Sequence, residues 1–127
     1  MGLFEYGVAI VSSDGQREEE VRPWVDTGAA YCQFPAALLT SLGYKPNATR
    51  SFRMAAGSLV ARPFGFINMR IGTEVQPVHC VFDTTDQAQM LLGAIAVEAF
   101  SLAADPVNKV LNPTVSLMLT MHFDENE

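Results

Sequence analysis

The stretch Trp24-Val25-Asp26-Thr27-Gly28-Ala29 decides how this chain is interpreted. Two apolar residues typical of a buried strand lead into an acid, a hydroxyl residue and a glycine, which together predict a tight turn. A carboxylate held there is not solvated like a surface acid, so it needs either a partner or a chemical role. On these residues alone, an Asx-type turn and a catalytic acid both remain open.

The composition is that of an ordered globular protein with an acidic balance. Of the 127 residues, 49% are hydrophobic, so we expect a single domain over residues 1–127 with a core that needs no disulfide or metal. The net charge of −6 argues against nucleic acid or an anionic membrane as a partner. No apolar stretch has membrane-spanning length and no signal peptide is recognisable, so a cytoplasmic protein is expected.

The cysteines and histidines lack the spacing of a metal site. Cys32 and Cys80 form no C-x-x-C motif, and His79 and His122 have no ligand-spaced partners. We therefore expect no metal and no cofactor, and we expect the reduced thiols of a cytosolic protein.

Turn signals and apolar patterns predict a mostly β chain. Strands are expected over residues 3–11, 21–25, 31–34, 51–54, 59–71 and 75–82, with a hairpin turn at Asp14-Gly15. Helices are expected over residues 35–42, closed by Gly43, and over residues 94–100. A turn at residues 105–108 and a terminal strand over residues 115–123, whose apolar residues alternate, complete the expected order.

Taken together and in this order, these segments resemble the retropepsin-like aspartic proteases, and among them the short single-domain bacterial relatives. The matching pieces are residues 24–29, Phe34-Pro35, Leu42-Gly43, Ala55-Ala56-Gly57-Ser58, Leu91-Leu92-Gly93-Ala94, Asp105-Pro106 and Leu111-Asn112-Pro113. The resemblance implies an all-β, closed barrel of the acid protease fold with one or two short helices.

The resemblance also implies roles for single residues. Asp26 corresponds to the catalytic aspartate, and Thr27, Gly28 and Ala29 would support its loop. Residues Leu91, Leu92 and Gly93 would form a supporting apolar loop, and Ala55, Ala56, Gly57 and Ser58 would form the flap over the substrate. Relatives often carry a polar residue at the position of Ala56, and Ala-Ala-Gly is also an ordinary β-turn.

The single Asp-Thr-Gly motif has a mechanistic consequence. In this family two aspartates share one proton and activate a water molecule, because two carboxylates within about 3 Å cannot both ionise easily. The second Asp26 would therefore come from a second chain, which implies a homodimeric aspartic endopeptidase that hydrolyses peptide or protein substrates. A catalytically inactive dimerisation or peptide-binding module of the same fold is the alternative.

Three further questions stay open. Residues 3–11 and 115–123 are candidates for a dimer sheet, with an intramolecular hairpin between the termini as the alternative. The polar loop around Asp83 and Asp86 either borders a substrate cleft or is simply solvated, and we favour the solvated loop. In this family's fold Cys32 and Cys80 lie on neighbouring strands, so they either respond to oxidation or stay buried and inert, and we favour the latter.

Overall fold

The computed structural model describes residues 3–115. In chain order its elements are β1 (Phe4–Glu5), β2 (Val8–Val11), β3 (Glu18–Val21), β4 (Trp24–Asp26), β5 (Cys32–Pro35), α1 (Ala36–Ser41), β6 (Ala48–Arg53), β7 (Leu59–Ile71), β8 (Glu74–Asp83), β9 (Leu91–Gly93), α2 (Ala94–Ala99), β10 (Leu102–Asp105) and β11 (Val110–Pro113). The predicted all-β architecture with short helices is confirmed.

Two of the expected strands are each divided in two. The strand expected over residues 3–11 is interrupted at Tyr6, whose N–H turns away to donate to the carbonyl of Pro23 (3.1 Å). The strand expected over residues 21–25 is interrupted at Pro23 itself, which has no N–H to contribute to a ladder. The Tyr6–Pro23 hydrogen bond joins the two interruptions, and the strands before and after them pair with different partners.

The two helices are short and lie where the sequence predicts them. Pro35 precedes α1, and Gly43 follows the helix at φ +90°, a left-handed conformation that favours glycine at a helix end. Leu39 is the residue of α1 that is fully buried. Among the described residues, neither helix is long or apolar enough to cross a membrane.

One sheet of nine strands forms most of the structure. Its order is β1-β4-β9-β5-β8-β7-β2-β3, with β6 paired to β7, and it curls into a half-barrel. The β4–β9 and β5–β8 pairs are parallel, which requires long connections between them. These crossovers place Asp26 opposite Gly93 and Cys32 opposite Cys80, although each pair is far apart in the sequence.

The alternation of side chains gives this sheet a core face and an open face. The largest fully buried side chains on the core face include Val25, Phe34, Ile67, Phe82 and Leu92. The strand registers place the neighbours of these residues on the open face, namely Trp24, Asp26, Gln33, Val81, Asp83 and Leu91. The Asp26 carboxylate therefore belongs to the open face.

The hairpin of β10 and β11 forms a separate two-stranded sheet, and its first strand was not predicted. Its turn is held by Asp105, whose Oδ1 accepts the N–H groups of Val107 and Asn108 at 3.1 Å each. Hydrogen bonds from the Asn108 side chain and backbone are the main cause of the lowered pKa of Asp105. The predicted turn at this position is confirmed.

The candidate dimer strand over residues 3–11 is wrong in its second half. Within the described residues, β2 has β3 along one edge and β7 along the other, so both of its edges are already hydrogen-bonded. By contrast, β1 ends the sheet that residues 3–115 form, and within that part of the chain it pairs with β4 alone. The candidate tail strand over residues 115–123 lies, beyond Val115, outside the described residues.

Candidate active site

Asp26 ends β4 and begins a tight turn. Its carbonyl accepts the N–H of Ala29 (3.1 Å), and its Oδ1 accepts the N–H of Gly28 (3.0 Å). The side chain is partly buried, and its Oδ2 has no hydrogen-bond partner within residues 3–115. The Asx-type turn is therefore present, and it leaves one carboxylate oxygen available to a water or a substrate.

The residue after Asp26 faces outward. Thr27 is exposed, and its hydroxyl makes no hydrogen bond to any residue in the described part of the chain. The support of the Asp26 loop that the family resemblance assigns to Thr27 therefore includes no hydrogen bond from its hydroxyl within residues 3–115.

The segment Leu91–Gly93 lies directly against the Asp26 turn. It runs parallel to β4, and the N–H of Ala94 then donates to the carbonyl of Ala29 (2.8 Å). A Cβ atom placed on Gly93 would lie 2.5 Å from the carbonyl oxygen of Tyr31, which is closer than real Cβ atoms approach backbone. Glycine at position 93 therefore lets β9 support the loop that carries Asp26.

The turn of the β6–β7 hairpin lies at residues 55–58. The N–H of Gly57 donates to the carbonyl of Met54, and the N–H of Met54 donates to the carbonyl of Ser58, both at 2.8 Å. Gly57 has φ +95°, as in three-residue hairpin loops that close with a glycine in the left-handed region. All four residues Ala55, Ala56, Gly57 and Ser58 are exposed.

A cavity of about 420 Å³ lies between the Asp26 loop and this hairpin. The loop contributes residues 28–31, and the hairpin contributes residues 52–54 together with Val60 and Arg62. Of the predicted site residues, Gly28, Ala29 and Leu91 line the cavity. The others are not part of its lining, namely Asp26, Thr27, residues 55–58, Leu92 and Gly93. A larger cavity of about 730 Å³, beside β2 and β3, is lined by none of the predicted site residues.

The position of Asp83 shows that the favoured interpretation of the polar loop, a solvated loop, is wrong for this residue. It is 7% exposed and lines the cavity, as does Thr85, so the segment borders the cleft. Its Oδ2 accepts a hydrogen bond from Gln33 Nε2 (3.0 Å), and its Oδ1 accepts hydrogen bonds from the N–H and the hydroxyl of Thr85 (2.9 and 2.8 Å). Those hydrogen bonds compensate the burial of the carboxylate. Asp86, by contrast, is exposed as expected.

The sequence did not point to the side chains that give the cavity its character. Tyr31 contacts Phe64 edge to face with ring centroids 4.9 Å apart, and Phe52 with centroids 6.1 Å apart. Arg53 and Arg62 also line the cavity on the hairpin side, although the strand register places their side chains on opposite faces of the hairpin. The alternation of side chains along β6 and β7 could have indicated that Phe52 and Val60 lie together, because the two residues are opposite one another and share a face of the hairpin.

Cys32 and Cys80 lie opposite one another on β5 and β8, as the family resemblance implied, and both are free and buried. Burial raises the pKa of the Cys32 thiol to about 11 and also raises the pKa of Cys80. Neither thiol is thus a nucleophile at neutral pH. Among residues 3–115, no three His, Cys, Asp or Glu side chains are grouped as a metal site would require.

The solved structures that are similar to this chain include those of two proteases. The solution structure of simian foamy virus (mac) protease is 15% identical, with 74% of this chain and 91% of that chain covered and a TM-score of 0.52. The crystal structure of a retropepsin-like aspartic protease from Rickettsia conorii is 16% identical, with 86% of each chain covered and a TM-score of 0.57. At these identities the two structures show the shared fold alone.

Sequence comparison identifies the family. No curated protein matches the chain significantly. The family model described as gag-polyprotein putative aspartyl protease matches residues 14–98, which include the Asp26 turn, the β6–β7 hairpin and β9. This match spans more than half of the chain and agrees with the retropepsin-like fold. The chain therefore belongs to the family of gag-polyprotein putative aspartyl proteases.

Proposed function

We propose that the protein is an aspartic endopeptidase that acts as a homodimer, with Asp26 of each chain in one shared site. The observation that carries this proposal is the geometry of the Asp26 turn. One carboxylate oxygen is held by the N–H of Gly28, and the other, on the open face of the sheet, has no hydrogen-bond partner within residues 3–115. A cavity beside the turn, covered by a hairpin, would receive the substrate.

The chemistry requires two such carboxylates. With one proton shared between them, the ionised Asp26 accepts a proton from water while the water oxygen attacks the scissile carbonyl carbon. The protonated Asp26 donates its proton to the carbonyl oxygen. When the tetrahedral intermediate collapses, the carbon–nitrogen bond breaks, and the Asp26 that accepted the proton from water donates it to the leaving nitrogen. The other Asp26 takes back a proton from a hydroxyl of the intermediate, which restores the shared proton. Neither a metal nor a cofactor takes part in this mechanism.

The surroundings of Asp26 support pairing of two chains. A two-fold axis next to the turn brings each Asp26 to its symmetry mate, since an isologous interface repeats whatever lies on the axis. The exposed Thr27 hydroxyl, which has no partner within residues 3–115, would then find its acceptor in the second chain. β1 lies at the end of the sheet, and its outer edge has no partner among the described residues, so a second chain could extend it.

The substrate would bind as an extended strand beneath the β6–β7 hairpin, which acts as the flap. Backbone groups would hold the peptide, and pockets for alternate side chains would give specificity. Because Ala56 has no polar side chain, the tip of the flap would contact the substrate through its backbone groups. We also propose the cytoplasm as the compartment, because the free thiols of Cys32 and Cys80 suit a reducing environment.

A comparison of cleavage tests this proposal. The purified dimer is incubated with a peptide library between about pH 3 and pH 8, the range in which paired carboxylates titrate. The wild type should cleave, and Asp26→Asn, which keeps the shape and can still accept from the Gly28 N–H, should not. Asp86→Asn is the matched control, since Asp86 is exposed and lines no part of the cavity. Equal activity in wild type and Asp26→Asn would refute the assignment.

A peptide-binding module without turnover is the second candidate. The alanine at position 56 favours it, because side-chain contacts from the flap tip are lost. Saturable binding of peptides without Asp26-dependent cleavage at any pH would establish this alternative.

A further inference from the structure

We propose that the cavity of about 420 Å³ selects a substrate side chain that donates a hydrogen bond, such as threonine, because Asp83 makes acceptors of Gln33 and Thr85 in its lining. The inference rests on the proposed peptide-binding cleft and names the side chain that the cleft prefers. It concerns a substrate residue near the scissile bond, since the lining includes Gly28, two residues after Asp26.

Gln33 lies between two apolar residues of the cavity lining. In the register of the sheet it is opposite Val81 of β8 and opposite Leu91 of β9, and all three residues line the cavity. Its side chain is half-buried and lies on the open face of the sheet, the face that carries Asp26. A substrate side chain that enters the cavity would therefore contact the Gln33 amide.

Two hydrogen bonds fix the orientation of that amide. Gln33 Nε2 donates to Asp83 Oδ2 (3.0 Å) and to the carbonyl oxygen of Gln89 (3.2 Å). A carbonyl oxygen only accepts, as does an ionised carboxylate, so turning the amide over would place oxygen against oxygen on both sides. Gln33 Oε1 has no hydrogen-bond partner within residues 3–115. The amide therefore presents a fixed acceptor to a substrate.

Asp83 orients Thr85 in the same way. The Thr85 hydroxyl donates its one hydrogen to Asp83 Oδ1 (2.8 Å), and its backbone N–H donates to the same oxygen (2.9 Å). Towards a ligand this hydroxyl can then only accept. Thr85 lines the cavity and is exposed, whereas Asp83 is buried. Asp83 is thus a positioning residue that occupies the donors of both neighbours.

The charges of the cavity do not favour an ionised side chain. Arg62 and Asp83 both line it and carry opposite charges, while the side chain of Arg53 lies on the other face of the hairpin. The rest of the lining includes Phe52 and Val60, which cannot replace the water that a buried ion loses. A neutral side chain with one donor and an apolar part fits these surroundings better.

Threonine and valine distinguish hydrogen bonding from shape. The two side chains have nearly the same size, and threonine carries a hydroxyl where valine carries a methyl group. A bound threonine can donate to Gln33 Oε1 or to Thr85 Oγ1. A bound valine would cover both acceptors and leave them without a partner, which costs more than the loss of one hydrogen bond between exposed groups.

Matched peptides test the inference. Substrates that differ only by Thr or Val at one position near the scissile bond are compared by kcat/KM, and each position is varied in turn. We expect the wild type to prefer Thr by about tenfold or more at one position, the one whose side chain enters the cavity. Gln33→Met/Thr85→Val, which lacks both acceptors, should lose the preference. Thr84→Val is the matched control and should keep it, since Thr84 is exposed and outside the cavity lining.

Asp83→Asn tests the positioning role. The Thr85 N–H would hold the oxygen of an asparagine at this position, so the amide nitrogen would face Gln33 and compete for its Oε1. The Thr preference should therefore fall although Gln33 and Thr85 are both present. The ratio of two substrates measured on one preparation does not depend on the folded fraction, so a loss of stability cannot mimic this result. An unchanged ratio would refute the role of Asp83.

Binding measurements separate this inference from the proposed function. The Thr and Val peptides, labelled with a fluorophore, are titrated into Asp26→Asn, which should bind without cleaving. A Thr preference in binding that disappears in Gln33→Met/Thr85→Val supports the inference even if no cleavage is found. Equal affinity for the two peptides, or a preference that survives loss of both acceptors, overturns it. Cleavage without any Thr preference would leave the peptidase proposal standing and this inference refuted.

Discussion

Replacing Gly93 with alanine tests how tightly β9 is packed against the loop that carries Asp26. The added Cβ would lie 2.5 Å from the Tyr31 carbonyl oxygen, 2.6 Å from its carbonyl carbon and 2.9 Å from the Ala30 carbonyl carbon. All three atoms belong to the backbone, so no side chain can rotate away. The β4–β9 pair or the loop must move instead.

The cost follows from the size of that overlap. Overpacking of a buried site costs about 1–3 kcal/mol, and rigid backbone neighbours place Gly93→Ala at the upper end. Alanine recovers about 0.5–1 kcal/mol because glycine is the more flexible residue in the unfolded chain. We therefore expect a net loss of about 2 kcal/mol, or a Tm lower by about 8 °C for a domain of this size. A loop displaced by about 1 Å would also lower kcat by about a hundredfold.

Urea unfolding at one fixed protomer concentration measures this loss, because the stability of a dimer depends on concentration. Gly65→Ala is the matched control. Gly65 is also buried in a strand, but a Cβ there would lie 3.4 Å from its nearest neighbours, which is an ordinary contact. It should change stability by no more than about 1 kcal/mol. If Gly93→Ala proves as stable as Gly65→Ala, the argument for close packing at β9 is wrong.

Three further results are expected. Gly57→Ala meets no steric obstacle but must adopt φ +95°, at about 1–2 kcal/mol, so the Tm should fall by about 4–8 °C. If the hairpin turn relieves this strain by shifting, kcat/KM should also fall about tenfold, and unchanged kinetics would contradict the flap role. Burial raises the pKa of Cys32 to about 11 and also raises the pKa of Cys80. At pH 8 a disulfide reagent should therefore react with the native thiols at least about a hundredfold more slowly than with the urea-unfolded chain. A native rate within about tenfold of the unfolded rate would refute this. Arg70 lowers the pKa of Glu18, so their ion pair stabilises the fold at neutral pH and loses its effect as the pH falls through that lowered pKa. Glu18→Gln should therefore lower the free energy of unfolding at pH 7 and match the wild type in strong acid. A loss of stability that persists in strong acid would disprove this.

Local signals in the sequence predicted most of the fold. The strand over Leu59–Ile71 and the glycine turns at residues 15, 43 and 57 follow from patterns within a few residues, and the structure has them at those places. The break at Pro23 was missed because apolar residues on either side give the appearance of one strand. The strand Leu102–Asp105 was missed because its short, small residues carry little strand signal apart from their partner in β11.

The site was predictable where its chemistry is local and not where it is assembled by the fold. Asp26 and its turn could be inferred from six consecutive residues. The burial of Asp83 could not, because its partner Gln33 is fifty residues away in the sequence and reaches it only through the parallel β5–β8 pair. Arg53 and Arg62 were missed for the same reason, since the cavity exists only once the hairpin lies against the Asp26 loop.

The central claim is that each chain holds half of a catalytic site. The most direct measurement is the specific activity as the protein is diluted, with the oligomeric state followed by sedimentation at each concentration. The account predicts that activity per chain falls in proportion to the dimer fraction and disappears in the monomer, because one Asp26 has no second carboxylate. Constant activity per chain at concentrations where the protein sediments as a monomer would contradict it.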